Sequence, residues 1–340
     1  MDSITQIVLG AACGEAVLGK KIGNRALLFG AIGGTIPDLD VFIGKLLFNN
    51  EIDSIAFHRG FMHSFFFAIP AAVGLGLLVF WLYNRGKRLG MTTQNQWMWL
   101  FFTSIFTHPI LDSFTAYGTQ LFAPFSDHRV AFNTISVVDP LYTLPFLGAL
   151  ILVMCFKRTA LKRQLFLRLG LGISSLYILF TLFNKYHVNK VYKQSLLEEQ
   201  IAYSRFQTQP TIINNILWYG IAETADAYFV GFYSIFDTEK TVSNWHKLPK
   251  NHHLIAGSPK DLETLAWFSG GYYNLSETSD ADTFLFKDLR YPLMDEKDPN
   301  STIFKFTITK KENRWEAAPF YAPEVNRGSL DAFWTRLKGI

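Results

Sequence analysis

The chain has 340 residues, of which 49% are hydrophobic and only 18% are charged, a charge content that is low for a soluble enzyme. The formal net charge is +4 at pH 7, yet no tract interleaves lysine and arginine with aromatic residues as nucleic-acid-binding grooves do. Composition therefore favours a membrane protein and argues against a nucleic-acid partner.

The apolar residues fall into runs whose lengths approach the roughly 20 residues that a helix needs to cross about 30 Å of hydrocarbon. These runs lie at 4–19, 26–48, 61–83, 97–111, 141–156 and 167–184. Beyond about Asn189 the sequence becomes a mixture of polar and aromatic residues. We therefore predict a multi-pass α-helical membrane domain of about six spans over residues 1–187, followed by a β-rich soluble C-terminal domain over residues 188–340.

The basic residues are distributed unevenly between the two sides that six crossings would create. Ten lysines and arginines lie in loops 20–25, 84–96 and 157–166, whereas two or three lie in or beside loops 49–60 and 112–140. Loops rich in basic residues stay in the cytoplasm. The pattern therefore predicts a multi-pass protein of the cell membrane whose two termini and whose C-terminal domain are extracytoplasmic.

Ionisable side chains inside apolar runs are costly in a membrane, so each one suggests a functional hypothesis. Glu15 lies in the first run, where it either contributes to a site or pairs with a neighbouring helix. Asp38 and Asp40 lie in the second run, directly after Pro37 in the stretch TIPDLD. Because proline interrupts the helix here, both carboxylates can approach one point. The alternative is that they cap a helix.

Histidines lie at the mouth of the third run and inside the fourth. The stretch FHRGFMHSFFF holds His58 and His63, with Arg59 between them. The stretch THPILD holds His108 and Asp112, four residues apart and therefore on one face of a helix. A single histidine at a helix end is most often a hydrogen-bonded interface residue. Two of them beside an outer loop, preceded by two carboxylates, favour a shared site.

Together the clusters place three histidines and three aspartates near the outer ends of spans two, three and four. Imidazole and carboxylate ligands without thiolates suit a divalent metal ion, zinc first, with manganese or a di-iron centre as alternatives. Such an ion would compensate the ligand charges and activate water. Six candidates exceed the ligands of one tetrahedral zinc, so either two ions bind or some residues only orient the ligands. The predicted metal-site residues are Asp38, Asp40, His58, His63, His108 and Asp112, of which Asp38, His63 and Asp112 are assigned catalytic roles.

The long outer loop ends in SDHRVAFNTISVVDPLY, which adds two candidates. Arg129 is a candidate for binding an anionic group of the substrate. Asp139 is either an accessory residue of the site or the cap of the fifth helix, with Pro140 at the first helical position. Both cysteines, Cys13 and Cys155, lie inside apolar runs, which indicates neither a disulfide framework nor a thiolate metal site.

The C-terminal residues have the composition and alternation of β-strands. Residues 211–224 and 227–237 are rich in β-branched and aromatic side chains and are predicted to form neighbouring strands. Residues 301–321 alternate on either side of Lys311–Asn313, as the two strands of a hairpin do. A polar stretch between Val188 and Gln200, predicted to be helical, links these strands to the membrane domain.

The chain resembles the family of bacterial inner-membrane metal-dependent hydrolases typified by YdjM. The resemblance covers about residues 1–155 and rests on motifs in the family's order: MDSITQIVLGAACGEAVLG, GTIPDLD, HRGFMHS, THPILD and VVDPLYTLP. It implies a metal-dependent hydrolase of the membrane, with the three aspartates and three histidines named above as its metal site. It also implies a functional acidic residue in the first span, which corresponds to Glu15.

Two classes of function fit these observations. The first is a membrane-bound metal-dependent hydrolase that cleaves an ester or phosphoester of a lipid or lipid-linked substrate at the outer face. The second is a non-enzymatic polytopic membrane protein, a scaffold or transporter, with a structural ion site. Placement of the polar residues at the outer ends of spans, and not along a midplane path, favours the hydrolase. No Gly-x-Ser-x-Gly elbow and no glycine-rich phosphate loop is present. The oligomeric state stays open.

Overall fold

The chain divides into two units, which we call the helical unit and the sheet unit. The structure, a computed structural model, describes all residues except 243, 258, 294–297, 299–300, 312–313, 321–326 and 340. The helical unit comprises Met1–Gly44, Phe57–Leu182 and Ile212–Asn214. The sheet unit comprises Lys45–Ala56, Phe183–Thr211 and Asn215–Ile340.

Eight α-helices precede the first strand, in a part of the chain that is described throughout. They are α1 (Ser3–Ile22), α2 (Asn24–Thr35), α3 (Asp40–Leu47), α4 (Glu51–Phe57), α5 (Phe65–Tyr83), α6 (Gln94–Ser113), α7 (Pro140–Cys155) and α8 (Leu161–Glu198). Each predicted apolar run contains a helix, and α2 and α3 share the second run. The polar stretch predicted to be helical continues the last run, so that both lie in α8.

The prediction of about six spans is only partly matched by these helices. Among the described residues, α5 and α8 are long and apolar enough to cross a membrane. A third span is reached if α2 and the segment Pro37–Leu47, bent by 45° relative to it, count as one. The apolar helix α7 has 16 residues, which is short for a full span. Helices α1 and α6 are less apolar because they bury polar residues that face other helices: Thr5, Gln6, Glu15, Ser104, His108, Asp112 and Ser113.

Glycines allow α1 and α2 to pack with their backbones in contact. A Cβ atom on Gly14 would lie 2.1 Å from the carbonyl oxygen of Ala26 and 2.8 Å from Cα of Gly30. A Cβ atom on Gly10 would lie 2.8 Å from Cα of Gly34. Each helix therefore presents glycines four residues apart to the other, the small-residue spacing that membrane helices use for close packing.

Two apolar clusters form the core of the helical unit. One joins α1, α7 and α8 through buried residues that include Val8, Phe146, Leu150 and Leu167. The other joins α1, α2, α5 and α6 through residues that include Leu18, Ala26, Ala72, Trp97 and Phe101. Much of the apolar surface of α5 and α8 remains outside these clusters, as expected of helices that face lipid.

The sheet unit contains two antiparallel four-stranded sheets. The first has the order β1 (Arg205–Pro210), β2 (Leu217–Glu223), β3 (Ala227–Ser234), β4 (His246–Pro249), and the second has the order β5 (Tyr273–Glu277), β6 (Thr283–Asp288), β7 (Lys305–Lys311), β8 (Arg314–Phe320). Helix α9 (Lys260–Phe268) lies between the two sheets in sequence, and α10 (Arg327–Leu337) follows them.

These strands confirm the β-rich C-terminal region. The two predicted neighbours are β2 and β3, which pair with Gly220 opposite Gly231. The predicted hairpin is β7 and β8, which pair from Lys305↔Phe320 to Lys311↔Arg314, while its turn at 312–313 lies outside the described residues. The sequence did not predict that the segment Lys45–Ala56 belongs to the sheet unit, where Ile52 is buried beside the second sheet.

Candidate metal centre

A break between α2 and α3 places two carboxylates in the helical unit. Pro37, which lacks an amide hydrogen, begins a 3₁₀ turn over Pro37–Leu39. Asp38 lies within this turn, and Asp40 is the first residue of α3. The break therefore brings both carboxylates to one region, which a continuous helix would not do.

The other polar residues come from the segment before α5 and from α6. A second 3₁₀ turn, Phe61–His63, ends at His63, and Ser64 then caps α5 by accepting a hydrogen bond from the amide of Phe67. His108 and Asp112 lie one turn apart in α6. All three of His63, His108 and Asp112 are buried, with side chains that are 0% exposed.

Asp38, His63 and His108 form a group that can hold a metal ion. Their candidate ligand atoms all lie within 4.8 Å of one another. The Nε2 atoms of His63 and His108 are 3.1 Å apart, and Oδ1 of Asp38 lies 3.4 Å from the first and 3.5 Å from the second. The Asp38 side chain is 24% exposed, so this group is open to solvent at its carboxylate.

The contacts of the opposite ring nitrogens orient both histidines. Nδ1 of His108 donates a hydrogen bond of 2.6 Å to the carbonyl oxygen of Gly34, which can only accept. Nδ1 of His63 lies 3.0 Å from Oδ2 of Asp40, in a geometry that makes no hydrogen bond. The Nε2 atoms of both rings therefore face each other and the carboxylate of Asp38. Two ring nitrogens and a carboxylate oxygen that converge in this way can coordinate a divalent ion.

Asp40 contacts the groups around the centre and orients them. Its Oδ1 lies 2.8 Å from Nδ1 of His58, and its Oδ2 accepts a hydrogen bond of 2.9 Å from the amide of Arg59. With the contact to His63, both oxygens of Asp40 are engaged. Asp40 and His58, which the sequence predicted as ligands, thus lie beside the group of three described above, and not within it.

Asp112 adds a second carboxylate at the centre. Its Oδ2 lies 3.5 Å from Nε2 of His63 and 3.6 Å from Nε2 of His108. The same oxygen is buried, accepts no hydrogen bond within the described part of the chain, and lies 3.1 Å from Nε of Arg59. A buried carboxylate oxygen close to two imidazole nitrogens is a further atom that can coordinate a cation here.

The remaining predicted site residues lie outside the group of three in the helical unit. Arg129 donates from both terminal nitrogens to the carbonyl oxygen of His58, at 3.3 Å each. Glu15 forms a buried ion pair with Arg163. Asp139 caps α7 by accepting hydrogen bonds from the amides of the helix's first turn, and it also accepts one from the hydroxyl of Tyr177 at 2.9 Å.

Sequence reasoning missed three groups that contact the centre. Arg59, 5% exposed, was visible only as the residue between two histidines. Gln6 donates a hydrogen bond of 2.8 Å to Oδ1 of Asp112, and the amine of Met1 also donates to that oxygen. The position of Gln6 inside the first apolar run was a signal that could have identified it.

Comparisons with known proteins match the part of the chain that carries this centre. The family model of the YdjM inner membrane protein matches residues 1–188. The Bacillus subtilis (strain 168) protein named "Uncharacterized protein YfhP" is 31% identical over 157 residues, which are 44% of this chain and 45% of that protein. The chain thus spans less than half the length of this relative. No solved structure matches.

Proposed function

The chain belongs to the YdjM inner membrane protein family, and on that premise we propose that it is a membrane-bound metal-dependent hydrolase. Its substrate is an ester or phosphoester of a membrane lipid or a lipid-linked molecule. The observation that carries the proposal is the convergence of Nε2 of His63 and Nε2 of His108 beside the carboxylate of Asp38. These atoms can coordinate a divalent ion, and the partly exposed Asp38 would leave that ion within reach of a substrate.

The donor set supports zinc, and the local charge supports a single ion. Imidazole nitrogens and carboxylate oxygens are common zinc ligands, and manganese or a di-iron centre would use the same types of atom. Asp38, Asp40 and Asp112 carry three negative charges, against one positive charge on Arg59 and one on the amine of Met1. These charges sum to −1, so one divalent ion would leave a net charge of +1, whereas two would leave a buried excess of +3.

The residues of the chain have distinct roles in this proposal. His63, His108 and Asp38 would hold the ion, and Asp112 would balance its charge. Asp40 fixes the ring of His63 and therefore acts as a positioning residue. A bound divalent ion would polarise the scissile ester or phosphoester and lower the pKa of water. Substrate approaches from the open edge, where the Asp38 and His58 side chains are 24% and 22% exposed.

Exposed aromatic side chains around the start of α5 support a lipid substrate. Phe61, Phe66, Phe122 and Phe125 are 45%, 44%, 49% and 77% exposed. The ring of Phe66 packs edge-on against that of Phe125, with centroids 4.8 Å apart. They surround the first turn of α5, a candidate membrane span. Exposed apolar side chains grouped at the end of a candidate span support contact of this surface with lipid.

We propose that the helical unit crosses the membrane several times and that its centre faces outward. The proposal is supported by the ten basic residues of loops 20–25, 84–96 and 157–166, which favour a cytoplasmic location for these loops. The alternating loops, including the one before His58, then lie outside. The segment Lys45–Ala56 lies in one of these outer loops and is part of the sheet unit. The sheet unit as a whole is therefore outside as well.

Metal analysis of the purified full-length protein tests the proposal. We expect about one divalent ion per chain by mass spectrometry, and loss of the ion in His63→Ala and in His108→Ala. Asp40→Asn removes an orienting contact and should weaken metal affinity about 10–100-fold. His252→Ala is the matched control, because Nε2 of His252 contacts the carbonyl oxygen of Tyr273 in the sheet unit.

Hydrolysis is measured on the same samples. Release of product from short-chain lipid esters and phosphoesters should stop on chelation, return with added zinc, and be absent in His63→Ala. A stoichiometric ion in a protein that cleaves none of these lipids would favour the alternative, a scaffold or transporter with a structural ion. Full metal content in both histidine variants would refute the metal centre.

A further inference from the structure

Arg59 has a backbone conformation that is unusual for a residue with a side chain. Its φ angle is 59°, in the left-handed region that disfavours residues with a Cβ atom. The conformation is held from both sides: the amide of Arg59 donates to Oδ2 of Asp40 at 2.9 Å, and its carbonyl oxygen accepts from the amide of Gln120 at 3.0 Å. Such backbone strain at a site suggests that the position of the side chain matters.

The guanidinium of Arg59 lies at the centre and is held there by two contacts. Nη1 donates to Oγ1 of Thr115 at 3.0 Å, and Nε lies 3.1 Å from Oδ2 of Asp112. The contact of Nε is an ion pair without hydrogen-bond geometry among the described residues. Because buried donors are nearly always satisfied, a donor without a well-aligned acceptor points to an acceptor that arrives with a ligand.

A second guanidinium contacts the same aromatic ring. The Cζ atom of Arg59 lies 4.7 Å from the ring centroid of Tyr117, and that of Arg129 lies 5.0 Å from it. The ring of Tyr117 also packs edge-on against that of His58, at 5.3 Å, and His58 is at the open edge of the centre. Two arginines held by one tyrosine therefore lie beside the residue at the open edge, where Arg129 also donates to the carbonyl oxygens of His58 and Gly118.

We propose that Arg59 and Arg129 bind the phosphate of a lipid phosphoester, which deepens the function proposed above and rests on it. A carboxylic ester is neutral and offers no negative charge to the two guanidiniums. A phosphate group carries negative charge and several acceptor oxygens, which match the planar fork of arginine. The reaction is hydrolysis: water supplies a hydroxyl group to phosphorus, the P–O bond to the alcohol breaks, and the alcohol oxygen takes a proton.

Phosphate binding by the metal-loaded full-length protein tests this proposal. The probes are inorganic phosphate and dihexanoyl phosphatidic acid, titrated calorimetrically in detergent, with dihexanoylglycerol as the neutral counterpart. Arg59→Lys and Arg129→Lys keep the charge but lose the fork, and each should weaken binding of both phosphates roughly tenfold or more. Arg85→Lys, on an exposed loop, is the matched control and should bind as the wild type does.

Metal content is measured in every sample and separates this proposal from the one on which it rests. Weaker phosphate binding at unchanged metal content supports the proposal. Unchanged affinity for the two phosphates in both lysine variants overturns it. Loss of metal in Arg59→Lys, combined with unchanged phosphate affinity in Arg129→Lys, overturns it as well. Equal affinity for the two phosphates would overturn the lipid assignment alone. Arginine-dependent phosphate binding in a protein that carries no metal would refute the hydrolase but support the phosphate site.

Discussion

The pair formed by Glu15 and Arg163 shows what one buried charge contributes to the helical unit. Nε and Nη2 of Arg163 donate to the two carboxylate oxygens of Glu15, both at 2.6 Å. Nη1 of Arg163 donates further to Oδ1 of Asn24 at 2.7 Å and to the carbonyl oxygen of Phe156 at 2.9 Å. The two side chains are 2% and 5% exposed. One side chain from the start of α8 thus ties α1, α2 and the end of α7 together.

Removing the negative partner should destabilise the protein without affecting the metal. In Glu15→Gln the guanidinium of Arg163 stays buried and loses its counter-charge, which costs about 3–5 kcal/mol. We expect a correspondingly lower free energy of unfolding, measured by denaturant titration in detergent, and an unchanged metal content. Arg168→Gln, on the exposed side of α8, is the control and should change little.

The same experiment separates the two sequence hypotheses for Glu15. Loss of metal from a stable Glu15→Gln variant would assign Glu15 to the site, as the family resemblance implies. A stability equal to that of the wild type would mean that the buried ion pair contributes nothing. The predicted result, lower stability with full metal content, assigns Glu15 to helix pairing.

At the residue scale, the sequence predicted which side chains meet but not what each one does. His63 and His108 are identical in type, and so are Asp38 and Asp40. Their roles differ because they depend on which ring nitrogen or oxygen points at which neighbour, such as the carbonyl oxygen of Gly34 for His108. Such directions follow from helix breaks and packing, which sequence spacing does not specify.

At the element scale, the close approach of α1 and α2 makes a strong prediction about Gly30. A Cβ atom there would lie 2.2 Å from the carbonyl oxygen of Gly10 and 2.8 Å from Cα of Gly14. Because these are backbone atoms, no side chain can move aside. Gly30→Val should therefore force the helices apart and lower the free energy of unfolding by about 3 kcal/mol or more.

The effect should reach the metal centre, because Gly34 on the same helix accepts the hydrogen bond that orients His108. We expect reduced metal content in any Gly30→Val protein that can be purified. Gly148→Val is the matched control: it lies in α7, and a Cβ atom there meets nothing within 4 Å. Equal stability of the two variants would contradict the packing described for α1 and α2.

Helices were predictable as elements because apolar runs and proline breaks are local signals. Their status as spans was not, because the runs of α1 and α6 include buried polar residues such as Gln6 and Asp112 whose partners lie on other helices. The segment Lys45–Ala56 was also unpredictable, since its place in the sheet unit depends on contacts with residues some 200 positions later, such as that of Asn50 with Asp261.

At the scale of the whole molecule, the composition of the sheet unit constrains the membrane topology. The unit joins Lys45–Ala56 to residues that follow α8. Asn50 donates to Oδ1 of Asp261 at 3.1 Å, and Ile52 is buried with Leu262 and Leu265. Segments that form one folded unit cannot lie on opposite sides of a bilayer. The short segment between α3 and the metal centre must therefore share the side of the C-terminal sheets.

Cysteine labelling in intact cells tests this topology. In a Cys13→Ser, Cys155→Ser background, single cysteines are placed at the exposed positions Glu51, Lys240 and Lys87. A membrane-impermeant maleimide should label Glu51→Cys and Lys240→Cys from outside, because both belong to the sheet unit. Lys87→Cys lies in a loop rich in basic residues and should react only after the membrane is permeabilised.

Labelling of Glu51→Cys and Lys240→Cys from opposite sides would contradict the assignment of both positions to one folded unit. Labelling of both only after permeabilisation would keep the unit but reverse the proposed orientation, and the metal centre would then face the cytoplasm.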